Sequence, residues 1–578
     1  MRPVLPSVLL CATCLPGMAL ADFDVDIGGR IQSNIRYRPD DKSVGQGANR
    51  SDQGPGFVRN EHILKLRLNA GVDRFSGVID ADFVWAGFTR TRTLDELSFR
   101  ETVEPNRLEL HSAYLDAVDL FVEGLDLRVG QQIVSWGAAD QFNPTNNLNA
   151  DDLEDRLLFG VQQANLMAKL DYTVPDVVTF SGVLVPLFKP ALLPKSAVIG
   201  LKMTDRLPMV DANLRRRIHA EQAYATSLGF DTRIDETTLI LPKETWRNMQ
   251  FSLRAAFNIG ETDVALSYYN GRSDIPLSVG NNVTQEFTGN CDPSDPNDIV
   301  DCGALSTTVQ LAYPHIQVAG LNIAGEVDLL GWISDDISPI GFRFELGVYF
   351  PDEYRMAMNQ STITLVGFDS PAGEYAYPDG ERPVVLSDTP YAKWTLGLDY
   401  SFNEHWYVNA MWVHGFPDEV GAGDWITAGD AVRQGGVVTN NPSYLLDNCA
   451  NPLLDGGPSG EVCSREVLRN RIGDYLVLGL DFKWAGGNGM FRMFTIWDLT
   501  GYVEDTFDLQ SRQRQRNKYS PVSGDGLALV LFPELNYNFG GGFELGAGGL
   551  IQLGKRHTKF GDPAAGGSLI WTRARYSF

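Results

Sequence analysis

The stretch SLIWTRARYSF, Ser568 to Phe578, alternates apolar and polar side chains as far as the terminal phenylalanine. Successive side chains of an extended chain point to opposite faces. Ile570, Thr572, Ala574, Tyr576 and Phe578 therefore share one side, and Arg573, Arg575 and Ser577 the other. One face suits a greasy surrounding and the other suits water. A half-buried strand of a soluble antiparallel sheet alternates in the same way, so the choice falls to the rest of the chain.

The opening residues, MRPVLPSVLLCATCLPGMALADF, place Arg2 before an apolar run from Val4 to Leu15 and end on the small-residue site Ala19-Leu20-Ala21. That order predicts a cleavable signal peptide over residues 1–21 and an exported chain over 22–578. A lipid anchor on Cys11 or Cys14 is the alternative, disfavoured because Leu10 and Thr13 are not the small residues that precede such a cysteine. Beyond residue 21 no run of about 18 apolar residues offers a spanning helix. The exported chain is then periplasmic, secreted, or a barrel in the outer membrane.

The 578 residues include 58 glycines, 30 prolines and 11% aromatics, a composition of many short strands joined by turns. The net charge of -25 argues against a nucleic-acid partner. Four cysteines follow the signal region in two close pairs, CDPSDPNDIVDC (Cys291, Cys302) and CANPLLDGGPSGEVC (Cys449, Cys463). Each brackets a polar stretch and reads as a disulfide-pinned loop of an exported protein. A zinc site would need histidine or further ligands, and neither stretch holds one.

Alternation recurs along the whole chain. In DFDVDIGGRIQSNIRY the residues Val25, Ile27, Ile31, Ile35 and Tyr37 oppose Asp24, Asp26, Arg30, Gln32, Asn34 and Arg36. In HILKLRLNAGV, Leu64, Leu66 and Leu68 oppose Lys65, Arg67 and Asn69; after a turn at Asp73 and Arg74, Phe83 and Trp85 oppose Asp80 and Asp82. Eighteen such segments can be marked, most of them close to the 9–11 residues that a tilted strand needs to cross a bilayer. The connections after even-numbered segments are short (DRFSG, TVPDV, NIGETD, SFNEH, AGGNG, FGGG), and those after odd-numbered ones are long. Short turns on one side and long loops on the other are the habit of outer-membrane barrels. The expected fold is all-β: a transmembrane antiparallel β-barrel of about 18 strands, within a range of 14–18, with long extracellular loops. Trp394, Trp406, Trp412, Trp484 and Trp497 lie near segment ends, where interfacial aromatic girdles form.

One stretch is more individual: LRVGQQIVSWGAADQFNPTNNLNADDLEDRLL, Leu127 to Leu158. Gly130-Gln131-Gln132 leading to Trp136-Gly137, then Asn143-Pro144, then Asp151-Asp152 with Glu154-Asp155-Arg156, resemble a family of large, porin-like Gram-negative outer-membrane barrels known by a numbered domain of unknown function, DUF1302. LVPLFKPALLP resembles that family too. The family usually carries Arg where this chain has Gln131 or Gln132. The resemblance implies an envelope transport role, often associated with hydrophobic compounds, with no established substrate.

A barrel assigns a lumen. Arg30, Arg36, Lys65, Arg67, Asp80, Asp82, Arg128, Arg254, Arg343, Glu345, Arg573 and Arg575 are expected to line it, either steering solutes or pairing across strands as a solvated wall. Asn143, Pro144, Asp151, Asp152, Glu154, Asp155 and Arg156 are expected in a loop that narrows the pore, with Asn149 capping a short helix there. The acidic cluster lacks the spacing and central glycine of a calcium loop. Asp211 is expected to cap a second helix in the longest loop, with Arg215 to Arg217 exposed on it. No catalytic motif, cofactor cradle or metal-ligand pair appears. The expected function is a channel or transporter for solutes, hydrophobic or amphipathic ones included. A structural or adhesion barrel and a barrel enzyme with a rim site are the alternatives. Expected partners are outer-membrane lipid and lipopolysaccharide, the barrel assembly machinery, and envelope transport proteins.

Overall fold

The first and last long strands of the chain lie side by side. In the computed structural model, β1 (Asp24–Arg38) pairs antiparallel with β18 (Leu569–Ser577), from Arg30 opposite Ser577 to Tyr37 opposite Ile570. The structure describes residues 24–42, 54–87, 103, 105–154, 157, 160–194, 210, 230–287, 303–328, 338–358, 382–423, 425–427, 466–508, 513–522 and 524–578. Between the two seam strands run β2 (Gly56–Val72), β3 (Phe75–Ala86), β4 (Asn106–Ala117), β5 (Leu125–Gln132), β6 (Asn165–Val174), β7 (Val178–Val185), β8 (Gln250–Ile259) and β9 (Thr262–Arg272). Then follow β10 (His315–Val327), β11 (Ile340–Pro351), β12 (Tyr391–Ser401), β13 (Trp406–His414), β14 (Asp474–Trp484), β15 (Gly489–Asp498), β16 (Ala528–Gly540) and β17 (Phe543–Gly554). Each pairs antiparallel with the next, so eighteen strands close into one barrel without an edge. Closure satisfies every ladder group internally, the condition for crossing hydrocarbon.

Burial is inverted relative to a soluble protein. Ile27, Ile31 and Leu115 are 66%, 55% and 71% exposed, while Gln32, Asn34 and Arg36 are buried. The greasy faces point outward and the polar faces inward, as the alternation predicts. Aromatic rings gather at the short-turn rim: Trp406 against Phe482 at 4.5 Å, Tyr400 against Phe402 at 4.8 Å, Tyr537 against Phe539 at 4.8 Å. Trp394 and Trp412, 5.1 Å apart, stand near the opposite rim. The two groups match the interfacial girdles. At the seam Gly29 and Phe578 exchange two backbone hydrogen bonds of 3.0 Å. A Cβ on Gly29 would sit 2.7 Å from the Phe578 ring and 2.5 Å from the Lys65 carbonyl oxygen, so no larger residue fits that approach.

The interior is divided along its axis. Toward the short turns the inward positions are ionic and paired: Arg343 with Asp399 at 2.6 Å, Arg492 with Asp481 at 2.6 Å, Arg573 with Glu534 at 2.8 Å, and Arg128 with both oxygens of Asp116. Toward the long loops, inward residues of β6 to β18 and the segments folded against them form two apolar clusters, with polar groups such as Glu345, Lys393 and Thr395 set among them. One holds Trp136, Leu148, Met167, Val183, Tyr269, Val318 and Tyr349; the other holds Phe142, Met411, Phe416, Tyr475, Ile496, Val530 and Leu550. β1 to β4 keep polar groups there as well, among them Arg36, Glu61 and Asp82.

Several connections read as long loops carry strands of their own at the long-loop end. Leu277–Phe287 and Gly303–Ala312 form an antiparallel pair flanked by Phe230–Ile240, and Trp425–Thr427, Glu466–Asn470, Tyr502–Asp508 and Gln513–Tyr519 form a second small sheet. The alternation predicts wall segments from Arg107 to Leu120 and from Leu125 to Trp136, but β4 stops at Ala117 and β5 at Gln132. The Asn149 side chain accepts from Val134 N and donates to the carbonyls of Gln132 and Gln163, tying neighbouring stretches together. Asp151 and Asp152 are consequently in isolated bridges to Gln162 and Leu192, and the described residues after Asn149 begin no helix. The four cysteines Cys291, Cys302, Cys449 and Cys463, residues 1–21, Asp155, Arg156, and the Asp211 segment with Arg215 to Arg217 lie outside the described residues.

Candidate functional site: a segment folded into the barrel

Between β5 and β6 the chain leaves the wall at Ile133 and returns at Asn165, and the described residues between them cross the interior. Its main anchor is Glu345 on β11, which is fully buried. One carboxylate oxygen accepts from Ala138 N at 2.8 Å and Ala139 N at 3.2 Å; the other accepts from Thr145 N at 2.9 Å and Thr145 Oγ1 at 2.7 Å. Four donors aimed at one carboxylate offset part of the loss of its hydration. Thr145 Oγ1 also hydrogen-bonds the Asn322 side-chain amide on β10. The Tyr349 hydroxyl donates to Pro144 O at 2.6 Å, and Thr395 Oγ1 on β12 donates to Phe142 O at 2.8 Å. Arg343 reaches Asp140 at 2.7 Å while holding Asp399 on the wall.

The turn that meets these anchors is built locally. Asn143 Oδ1 accepts from Ala139 N and its amide donates to Asp140 O, closing the bend in which Pro144 follows. At the far end, Glu154 stands 3.6 Å from Arg59 on β2, across the lumen from the Glu345 anchor. Asp152 Oδ1 accepts from Glu154 N. The Asp151 amide donates to Asp274 Oδ2 at 2.8 Å, joining the segment to the loop after β9. Burial, with the Asp274 charge beside it, pushes the Asp151 carboxyl up to about 8, and burial raises Asp274 as well.

The segment separates two cavities. On the long-loop side lies one of about 640 Å³, where Phe142, Tyr349, Tyr391, Phe416, Tyr475 and Phe560 share the lining with Asp151, Asp274, Lys393, Glu419 and Lys559. Lys393 is buried and donates to Phe416 O at 2.7 Å. Lys559 bridges Asp418 at 2.9 Å and Glu419 at 3.0 Å, linking the loops after β13 and β17. Burial alone would lower its ammonium pKa, but those two carboxylates carry it well above the ordinary lysine range. On the short-turn side lies a polar cavity of about 380 Å³ bounded by Asp126, Arg128, Lys169, Asp171, Arg254 and Trp136.

The inward residues named from the alternation divide into roles the pattern could not separate. Lys65 binds Asp80 at 3.0 Å, Arg573 spans Glu534 and Glu544, and Arg575 lies 3.6 Å from Glu544. Arg67 is exposed to the lumen beside Asn69, Arg254 lies over the Trp136 ring at 5.9 Å, and Arg36 is buried. Arg30 is opposite Lys65 in register. Glu345 is the segment's anchor and does not reach open space. Asn322, Tyr349, Thr395, Asp274 and Lys559 were not singled out by the alternation. The first three occupy inward positions of their strands, but nothing local marks them as partners of a loop some 200 residues away.

Residues 17–382 match the family described as a protein of unknown function, DUF1302, which is well over half of the chain. The chain belongs to this family. No curated protein matches the sequence. Among solved structures the chain is similar to the Acinetobacter baumannii protein OccAB3, with 9% identity over 96% of this chain and 99% of that one and a TM-score of 0.43. It is similar also to Pseudomonas aeruginosa OccK11 (OpdR), with 8% identity, 96% of both chains and a TM-score of 0.41. A third likeness is to a BenF-like porin from Pseudomonas fluorescens Pf-5, with 10% identity, 96% of this chain and 98% of that one and a TM-score of 0.41. At such scores these likenesses add nothing to the strand topology described above.

Proposed function

We propose that the chain is a porin-like channel of the outer membrane, narrowed by the Ile133–Ala164 segment, that passes amphipathic solutes carrying an apolar part. The segment's attachment to Glu345 carries this reading. A barrel of eighteen strands is too wide for wall side chains to fill, so its conductance is decided by what folds inside. Here a built and anchored partition leaves a cavity on each side. An aromatic lining with a few charged groups on one side suits a molecule that is part apolar and part polar, and the ionic cavity on the other keeps its exit wet. Outer-membrane lipid and lipopolysaccharide would surround the greasy exterior.

The test is planar-bilayer conductance of the full chain beside a variant lacking Asn146–Arg156. A folded, heat-modifiable deletion with raised single-channel conductance supports the reading. Unchanged conductance in that variant would remove the partition's role, and no current or solute flux in either form would favour an adhesion or enzymatic barrel instead.

A further inference from the structure

We propose that Asp82, Glu109 and His111 form a binding site for one divalent first-row transition-metal ion on the lumen wall between β3 and β4. The sheet is irregular at this point. Asp80 pairs with Ser112 but Ala81 pairs with Leu110, so His111 is the extra residue of a β-bulge. On the short-turn side of the bulge the outward residue of β4 is Leu115, 71% exposed; on the other side the outward residues are Leu108 and Leu110, 64% and 37% exposed. The bulge thus shifts the phase of the strand and turns a histidine to the inner face beside Glu109. Bulges re-aim side chains in this way beside binding sites.

The three residues converge. One potential ligand atom from each, two carboxylate oxygens and an imidazole nitrogen, lie within 4.8 Å of one another. His111 Nε2 is 3.1 Å from Asp82 Oδ2. Asp82 is 5% exposed and its Oδ1 accepts no hydrogen bond, which is costly for a buried carboxylate. Asp82 and Glu109 are also direct cross-strand partners, and like charges in that relation repel. The neighbouring cations are divided among several carboxylates: Lys65 is 3.0 Å from Asp80 and 3.9 Å from Asp82, and Arg107 is shared by Glu61 and Glu109. A divalent cation relieves the repulsion and the open oxygen together. One imidazole with two carboxylates suits zinc and its first-row neighbours, whose bonds of about 2.0–2.2 Å require only small rotamer changes from this spacing. The Glu109 and His111 side chains are 37% and 32% exposed on the inner face, so an ion has a way in from the lumen and a coordination position left for water or a passing solute.

Zn²⁺ titration by calorimetry tests this on the full barrel, stripped with chelator in detergent. One saturable Zn²⁺ per chain is expected, with His111→Ala and Glu109→Gln each weakening it by at least about tenfold while heat-modifiable folding is kept. Co²⁺ bound at the same stoichiometry should show ligand-field absorption that is lost in His111→Ala. Absence of saturable uptake, or equal affinity in His111→Ala, would overturn the site. If Asp82→Asn does not assemble, the other two variants decide. Uptake in a protein that conducts nothing would keep the metal site and refute the channel.

Discussion

Gly320 on β10 faces Gly347 on β11 as a direct cross-strand pair, and the Pro144-Thr145 turn rests on both. A Cβ on Gly320 would lie 2.7 Å from Thr145 Cγ2, and one on Gly347 would lie 2.9 Å from Pro144 O. The two glycines make a hollow in the inner wall just where the partition touches it. Gly347→Leu should therefore displace the turn without disturbing the ladder, since overpacking costs about 1–3 kcal/mol and the turn is the part free to move. The expected result is a folded barrel with higher single-channel conductance; unchanged conductance would show that the turn does not set the width.

Replacing the anchor tests the same partition from its other partner. Glu345→Ala removes the acceptor of four hydrogen bonds, and bonds to a charged group contribute about 1.5–3 kcal/mol each. Limited proteolysis should then cut within Ile133–Ala164 while the barrel strands stay protected. Equal protection in the variant would mean that Tyr349, Thr395 and Arg343 hold the segment unaided.

The Asp151–Asp274 tether predicts a pH response. Asp151 titrates near 8 in the folded protein and near 4 in an unfolded chain, so its protonated form is the one the fold favours. The associated stabilisation is complete below the unfolded value and is lost as pH rises through about 8. Lys393 opposes the shift and Asp418 adds to it. Conductance should rise between pH 6 and pH 9 and become flat over that range in Asp151→Asn. A pH response retained in Asp151→Asn would place the titrating group elsewhere.

On the exterior, Leu266 lies midway along β9 with its side chain 52% exposed. Leu266→Arg should destabilise the barrel by about 2–4 kcal/mol in lipid, the depth-dependent cost at the bilayer middle. Urea unfolding in vesicles reads this directly, and a cost near zero would place Leu266 off the lipid face.

The wall was legible in the sequence because a two-residue period records which medium each side chain meets. Ile27, Leu115 and Phe180 are exposed as that period requires. The alternating segments supplied the strand count, and the alternating connection lengths the barrel. The partition was legible only as a position: Asn143 and Pro144 marked a bend, but its partners Glu345, Asn322 and Thr395 lie far off in sequence and are ordinary inward residues of their strands. Asn149 read as a helix cap because its competition for backbone groups looks the same locally whether it starts a helix or staples two strands. The bulge at His111 left a mark in the phase change from Leu108 and Leu110 to Leu115, but which residue is extra and what it faces depend on the pairing register of the neighbouring strand.

The axial division of the interior has a consequence for anything that enters. A molecule with an acidic head and a greasy tail would find aromatic rings for its tail only on the long-loop side of the partition, among Phe142, Phe416 and Tyr475, whereas cations for its head stand on both sides, Lys393 and Lys559 on one and Arg128, Lys169 and Arg254 on the other. On the short-turn side the tail would lie among ion pairs and gain no burial. The barrel would thus hold such a molecule longer on the long-loop side of the partition, without biasing net flow, because a passive passage changes residence and not equilibrium.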